Sequence, residues 1–328
     1  VTTGGSAFYR ERKSKETATI AMRLLAAGGI LLGKTKTVEF AFGGWGTNQK
    51  MGTPKNPWDK KDHRICGGSS AGSAAALASD MTVCAVGTDT GGSVRLPAAF
   101  CGLVGLKVTK NLLPTDGILP LSHTFDTPGP MARSLIDAII MFEVLQGTEG
   151  WKIDNDMEKK QGIFQYLTKS VTGLRIGVIG DNDRNICSSE VLYFYDKTVS
   201  ILEQQGAIID IYKAPKAFSE ISARMSNIIA AEAYYHHGQL YENFEYPMDE
   251  DVRARVLSAR ELDARTYIQF LEQQKKVEKQ FSESMKNFDV IVTPTTVAEA
   301  NLIASVDQSI SPGHFTRPFN YAAMCALS

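Results

Sequence analysis

"GGSSAGSAAALASDMTVCAVGTDTGGSVRLPAAFCGLVGLKVT", residues 67–109, decides how this chain is read. The run "AGSAAALASD" has the composition of a helix, and "TVCAV" after it reads as a short buried strand that empties into the glycine loop "GTDTGG". Ser69 stands before the helix and Ser93 after the loop. A helix followed by a returning strand carries its two ends back toward each other, so two hydroxyls come within hydrogen-bonding reach without any histidine. Asp89 and Arg95 flank the loop and read as an ion pair that supports its shape, against the plainer reading of two solvated charges.

Outward from this unit the chain alternates helices and strands. "KETATIAMRLLAAGG" has helical spacing and is followed by "ILLGKT", read as a short buried strand. "GLRIGVIGD" supplies a strand, "EVLYFYDKTVSILEQQG" a helix that Gly206 stops, and "AIIDIY" another strand. "ARTYIQFLEQQKKVEKQFSESMKNF" is a long amphipathic helix leading into the strand "DVIVTPTT". The expected architecture is α/β, a mixed β-sheet core covered by helices on both faces, in a single domain spanning 1–328, with the polar stretch 147–162 as a surface connection.

Thirty-five basic and thirty-six acidic residues leave a formal charge of −1, which gives no global field for nucleic acid or an anionic membrane. No apolar run reaches membrane-spanning length. The five cysteines are widely spaced and read as free thiols in a reducing compartment, hence a cytoplasmic protein. The five histidines form no ligand pattern, so neither a metal nor another cofactor is expected. The chain starts without methionine and stops in the apolar segment "YAAMCALS", so both ends read as cut.

Two other motifs compete. "GGILLGKT", 28–35, satisfies G-x-x-x-x-G-K-[ST], but a phosphate loop follows a strand and opens a helix, whereas here a helix precedes and the centre is Ile30, Leu31 and Leu32. "GSSAG", 68–72, has the form of a nucleophile elbow with Ser70 at its centre, yet the strand that should precede it is weak and His314 is the only late histidine.

Residues 67–109 resemble the signature region of the amidase signature family, serine hydrolases with a Ser-Ser-Lys triad. The likeness continues in order through "GKTKTVEFAFGGWGTN", "NPWD", "SHTFDTPGPMARS", "GLRIGV" and "DVIVTPTT". It implies that Ser93 is the acylated nucleophile, that Ser69 relays its proton across a cis Gly68–Ser69 bond, and that the amides of Thr90, Gly91, Gly92 and Ser93 form an oxyanion hole. The glycines at 91 and 92 agree with that, since inward-turned amides need a backbone that side chains would block. The family's lysine base is expected upstream of Val1; Lys13, Lys15, Lys34 and Lys36 do not occupy its place.

The resemblance fixes amide hydrolysis and leaves the substrate open, expected to be a small polar amide. Arg255 matches a position where some members hold a substrate carboxylate, Arg317 is a second anion-binding candidate, and His123 lies in a loop that the family places near the active site. Partners expected are the amide itself and either a second copy of the chain or a heteromeric amidase complex. Two alternatives stay open: the amide-cleaving subunit of a glutamine-dependent amidotransferase, and a non-catalytic paralogue.

Overall fold

Antiparallel pairing organises the part of the chain that carries both serines. The structure, a computed structural model, describes residues 1–148, 162–167 and 169–328. Strand β1 (Cys84–Asp89) pairs along its length with β3 (Thr127–Ala132); β3 pairs with β2 (Val104–Lys107), and β2 with β7 (Ala326–Leu327). β2 reaches only Met131 and Ala132 of β3, so the stretch carrying Pro128 and Pro130 is paired on one side alone, which is where a strand tolerates proline.

Three helices cover this sheet. Helix α2 (Ala71–Ala78) begins with Ala71, Gly72, Ser73 and Ala74, all buried, and these small residues let it lie against β1, where Ser73 Oγ donates to the Val86 carbonyl at 2.9 Å. Helix α3 (Arg95–Cys101) follows the glycine loop and packs on β2. Helix α4 (Leu135–Gln146) is apolar nearly all round because it is covered by the sheet on one face and by α1 (Thr19–Ala26) on another. The Ser134 hydroxyl caps α4 through the Asp137 amide, and Gly147 ends it in the left-handed conformation.

A second, parallel sheet holds β4 (Arg175–Val178) between β5 (Ile208–Ile211) and β6 (Val290–Val292). The short helix α5 (Asp181–Arg184) and then α6 (Ser189–Gln204) cross from β4 to β5. Between β5 and β6 runs the helical layer: α7 (Phe218–Glu242), α8 (Glu250–Leu257) and α9 (Ala264–Ser284), with α10 (Arg317–Tyr321) packed on it. Ile221, Met225, Ile228, Ile229 and Ala233 recur at helical spacing on α7 and enter the largest apolar cluster.

The α/β architecture and the elements read from the sequence are present, with three differences. Parallel and antiparallel pairing both occur, but the described strands divide into two sheets, joined between their ends by a Thr295–Ser328 side-chain hydrogen bond of 2.7 Å. "TVCAV" and "DVIVT" do form strands, yet β1 and β6 are edge strands and only partly buried. "ILLGKT" is not a strand: among the described residues nothing pairs with it, and Ile30 is 86% exposed. Apolar character supplies burial energy only where a neighbour covers it. Of the connection expected at 147–162, residues 149–161 lie outside the described residues. No helix among the described residues is long and apolar enough to cross a membrane, and all five cysteines are unbridged.

Phe281 on α9 is fully buried against Tyr212 at 6.3 Å between ring centroids, whereas Ile268 on the same helix is largely exposed. Phe281→Ala should therefore lower the unfolding free energy by about 3–5 kcal/mol, and Ile268→Ala by less than about 1 kcal/mol, in urea titrations; equal losses would show that α9 does not pack through Phe281.

Candidate active site

Strand β1 ends on Asp89, and the carboxylate there organises everything that follows. Asp89 Oδ1 accepts from the Gly92 amide at 2.7 Å and from Asn320 Nδ2 at 2.8 Å. Its Oδ2 accepts from the amides of Val94 and Arg95 at 3.3 and 3.4 Å, and the Arg95 guanidinium grips both oxygens at 3.0 and 3.1 Å. Arg95 also donates to the Thr316 carbonyl at 3.1 Å and to Asn320 Oδ1. The pair is buried, not solvated: Asp89 is fully inaccessible and Arg95 is 2% exposed. Burial alone would push the Asp89 carboxyl up, but the adjacent Arg95 charge and the hydrogen bonds outweigh it and hold it well below the usual carboxylate range.

This network fixes the loop. Gly92 has φ +126°, and a side chain there would collide with Thr316. Gly91 is different: its φ is not in the left-handed region, and an added Cβ would come no closer than 3.4 Å to Arg317. The Gly92 amide is bound to Asp89, so of the four amides expected to face inward only those of Thr90, Gly91 and Ser93 have no protein acceptor among the described residues. Thr90 is held from its side chain, which donates to Asp126 Oδ1, while Asp126 Oδ2 accepts from the Leu121 and Ser122 amides at 2.8 and 3.0 Å.

The two serine segments do meet. The Ser70 amide donates to the Ser93 carbonyl at 3.3 Å, and the Gly68–Ser69 peptide is cis. The Ser69 carbonyl is held by the Thr37 hydroxyl at 2.8 Å and the Val38 amide at 3.2 Å. The Ser69 hydroxyl is fully buried and makes no hydrogen bond, so the direct bond to Ser93 expected from proximity is not made. Ser70, by contrast, is anchored: its hydroxyl accepts from the Thr88 amide at 3.2 Å and turns toward β1, away from the cavity.

A cavity of about 700 Å³ opens in front of Thr90, Gly91 and Ser93. Its walls come from Phe42, Gly43, Gly44 and Trp45, from Ser222 and Ser226 on α7, and from Arg255 and Arg317. The wall at 39–45 is tied down by Glu39, whose Oε2 accepts from Tyr241 at 2.7 Å and from the Asp249 amide at 2.8 Å. Gly46, at φ +83°, allows this segment to lie directly on the Gly67 carbonyl.

His123 is not in this cavity. It lines a separate one of about 830 Å³ with Glu232, Tyr235 and Tyr267, its Nε2 3.2 Å from Glu232 Oε1. Glu232 is buried and accepts from the hydroxyls of Ser122, Thr124 and Tyr267, which binds the 122–124 loop to α7 and α9. Sequence reading missed Asp126, Glu232, Thr316 and Asn320; Asp126 stands three residues after His123 in the same quoted loop, whereas nothing local marks the other three.

The Amidase family model matches residues 1–328, and the chain belongs to that family. It is 34% identical to a glutamyl-tRNA(Gln) amidotransferase subunit of Alkaliphilus metalliredigens over 85% of this chain and 61% of that protein. It is 33% identical to the 2-amino-5-chloromuconic acid deaminase of Comamonas testosteroni over 94% of this chain and 66% of that one. Among solved structures, the corresponding glutamyl-tRNA(Gln) amidotransferase subunit of Thermotoga maritima superposes with a TM-score of 0.81 at 28% identity, over all of this chain and 72% of that one. The chain thus spans slightly under two thirds of the length of these two curated relatives.

Behind the loop, Lys107 of β2 is 1% exposed, and its ammonium donates to the carbonyls of Val108 and Met324 at 2.9 and 2.6 Å. Burial pushes its pKa down from 10.5 to about 8, against the pull of Asp89. Between those values the unfolded chain binds more protons than the folded one, so this residue's contribution to stability increases as pH rises from about 8 toward 10.5. Measured by urea unfolding, the stability of the native protein relative to Lys107→Met should shift in favour of the native protein across that window; a pH-independent difference would mean that Lys107 stays protonated in the fold.

Proposed function

We propose that this site hydrolyses amides through an ester on Ser93. One observation carries the reading: Ser93 stands at the cavity floor beside three uncommitted amides, with the unpartnered hydroxyl of Ser69 buried in the adjoining segment. Membership of the Amidase family supports it.

In this mechanism Ser93 Oγ attacks the amide carbonyl carbon while its proton passes to Ser69 Oγ, and the Ser69 proton passes to a base. The carbonyl oxygen, now an anion, is received by the amides of Thr90, Gly91 and Ser93, and each well-placed donor is worth on the order of 3 kcal/mol in the transition state. The C–N bond then breaks, the nitrogen leaves with the proton returned from the base, and water cleaves the Ser93 ester to the acid. The base in the family is a neutral lysine, and the Ser69 hydroxyl is where it would act. Among the described residues no hydrogen-bond partner reaches the Ser69 hydroxyl, and this reading leaves the base to a lysine that is not among them.

The same reading treats residues 1–328 as one domain, in keeping with backbone bonds between Gly105 and Ser328 and between Ile65 and Asn301. It takes the protein to be cytoplasmic, in keeping with five unbridged cysteines. A second reading, a component of a glutamine-dependent amidotransferase, is favoured by likeness to a glutamyl-tRNA(Gln) amidotransferase subunit over 85% of the chain; it is separated from the first by a glutaminase activity that emerges only with partner proteins present.

A serine-reactive phosphonate incubated with the full-length protein should modify Ser93 and no other serine. Ser93→Ala should abolish acylation, and Ser69→Ala should lower kcat by roughly a thousandfold or more with the melting temperature retained. Ser70→Ala should act mainly on stability, through loss of its bonds to Thr88. An adduct on Ser70 would overturn the assignment.

A further inference from the structure

The cavity beside His123, of about 830 Å³, lies along the later turns of α7 and shares no lining residue with the one in front of Ser93. Ser222 and Ser226 of α7 line the Ser93 side, whereas Glu232, Tyr235 and Glu242 line this one. The proposed hydrolysis uses none of its residues. Three tyrosines stand in its wall. Tyr267 donates its hydroxyl to Glu232 Oε1 at 2.7 Å and Tyr234 donates to Glu242 Oε1, so what they have left to offer a ligand is ring surface. Tyr235 is 78% exposed, a ring of the cavity wall left largely in water.

The charge on this wall is not balanced. Glu232 is 1% exposed, and the hydroxyls of Ser122, Thr124 and Tyr267 that bond to it are neutral. Lys110 acts on it, but acts more strongly on Asp126. His123, with Nε2 at 3.2 Å, is the one lining group able to bring a positive charge, and 59% of its side chain is in water. Glu242 has Arg260 at 3.6 Å, an exposed guanidinium that also reaches Glu261 at 3.9 Å. Asp263 caps α9 through the Thr266 amide at 2.8 Å and has no cation within ion-pair distance among the described residues. Among those residues no lysine or arginine lines the cavity. A buried carboxylate without a counter-charge is costly until a cation completes it, and the faces of tyrosine rings attract the same kind of group.

We propose that this cavity is a second binding site, separate from the Ser93 cavity, and that it takes an organic ammonium ion, a primary amine carrying an aromatic arm. The three carboxylates draw in the ammonium group and exclude anions, and the arm lies against the tyrosine rings. A bare metal cation is the poorer fit, because the Glu232 oxygens already accept from three hydroxyls and three of the side chains in the wall are aromatic. The site stands whether or not Ser93 is acylated.

Calorimetry on the full-length protein compares phenethylammonium with 2-phenylethanol, which has the same ring and chain without the charge. The ammonium ion should bind about tenfold or more tighter than the alcohol. Added sodium chloride should weaken the first and leave the second unchanged, a readout that needs no variant. Tyr235→Ala and Glu242→Gln should each weaken phenethylammonium by about threefold or more, with melting temperatures checking that both variants fold. Arg317→Gln, in the other cavity, should leave its affinity within about twofold of the native value. Equal affinity for amine and alcohol, amine binding indifferent to salt, or binding that is lost with Arg317→Gln and survives Tyr235→Ala overturns the assignment.

Discussion

The buried pair Asp89–Arg95 is the constraint on which the site depends. Two opposite charges removed from water stabilise a fold only when their remaining hydrogen-bonding capacity is filled. Here it is filled by the Gly92, Val94 and Arg95 amides, by Asn320 and by the Thr316 carbonyl, so that β1, the first turn of α3 and α10 are locked to one another. The loop between Asp89 and Arg95 then has little freedom left. Its inward-facing amides are preorganised by a charge that itself never reaches the cavity.

The same economy appears on the other walls. Asp126 holds Thr90 from behind, Glu39 holds the 39–45 segment through Tyr241 and the Asp249 amide, and Glu232 holds the 122–124 loop. Three carboxylates, each accepting hydrogen bonds from the segments they hold, act as posts, and the cavity between them is lined by the Thr90–Ser93 loop, by Ser222 and Ser226, and by two guanidiniums, with Glu250 and Asp251 also on its wall. The family likeness and these posts account for different things: the first for the proposed acyl-transfer chemistry, the second for how firmly this chain holds the cavity walls.

Much of this was legible in residues 67–109. The alanine-rich helix, the strand after it and the glycine loop announce themselves because their determinants are local: an alanine-rich composition, a short apolar run, and a cluster of glycines. The pairing of Asp89 with Arg95 was legible for the same reason, six residues apart in one loop. Its burial was not, because Thr316 and Asn320 come from far along the chain. "ILLGKT" shows the converse error, since an apolar run reads as a strand whether or not a neighbouring strand exists to pair with it. His123 was misplaced because the resemblance says which loop it is on and nothing about which side of that loop it faces. Gly91 and Gly92 look alike in sequence, yet only Gly92 is required by its own backbone.

The bond from Asn320 to Asp89 spans 231 residues, and that from Arg95 to Thr316 spans 221. On a ribosome adding about 5–20 residues per second, the strand and loop bearing Asp89 are complete roughly ten to fifty seconds before Asn320 exists. Throughout that interval the ion pair lacks the groups that make its burial tolerable, and the sheet segment β1-β3-β2 still lacks β7. The nascent chain therefore carries a half-built polar core and an open strand edge for a long time, a state that invites chaperone capture. Contacts this distant in sequence also place refolding of the isolated chain at the slow end of the range, with loop closure preceding any reward from the site.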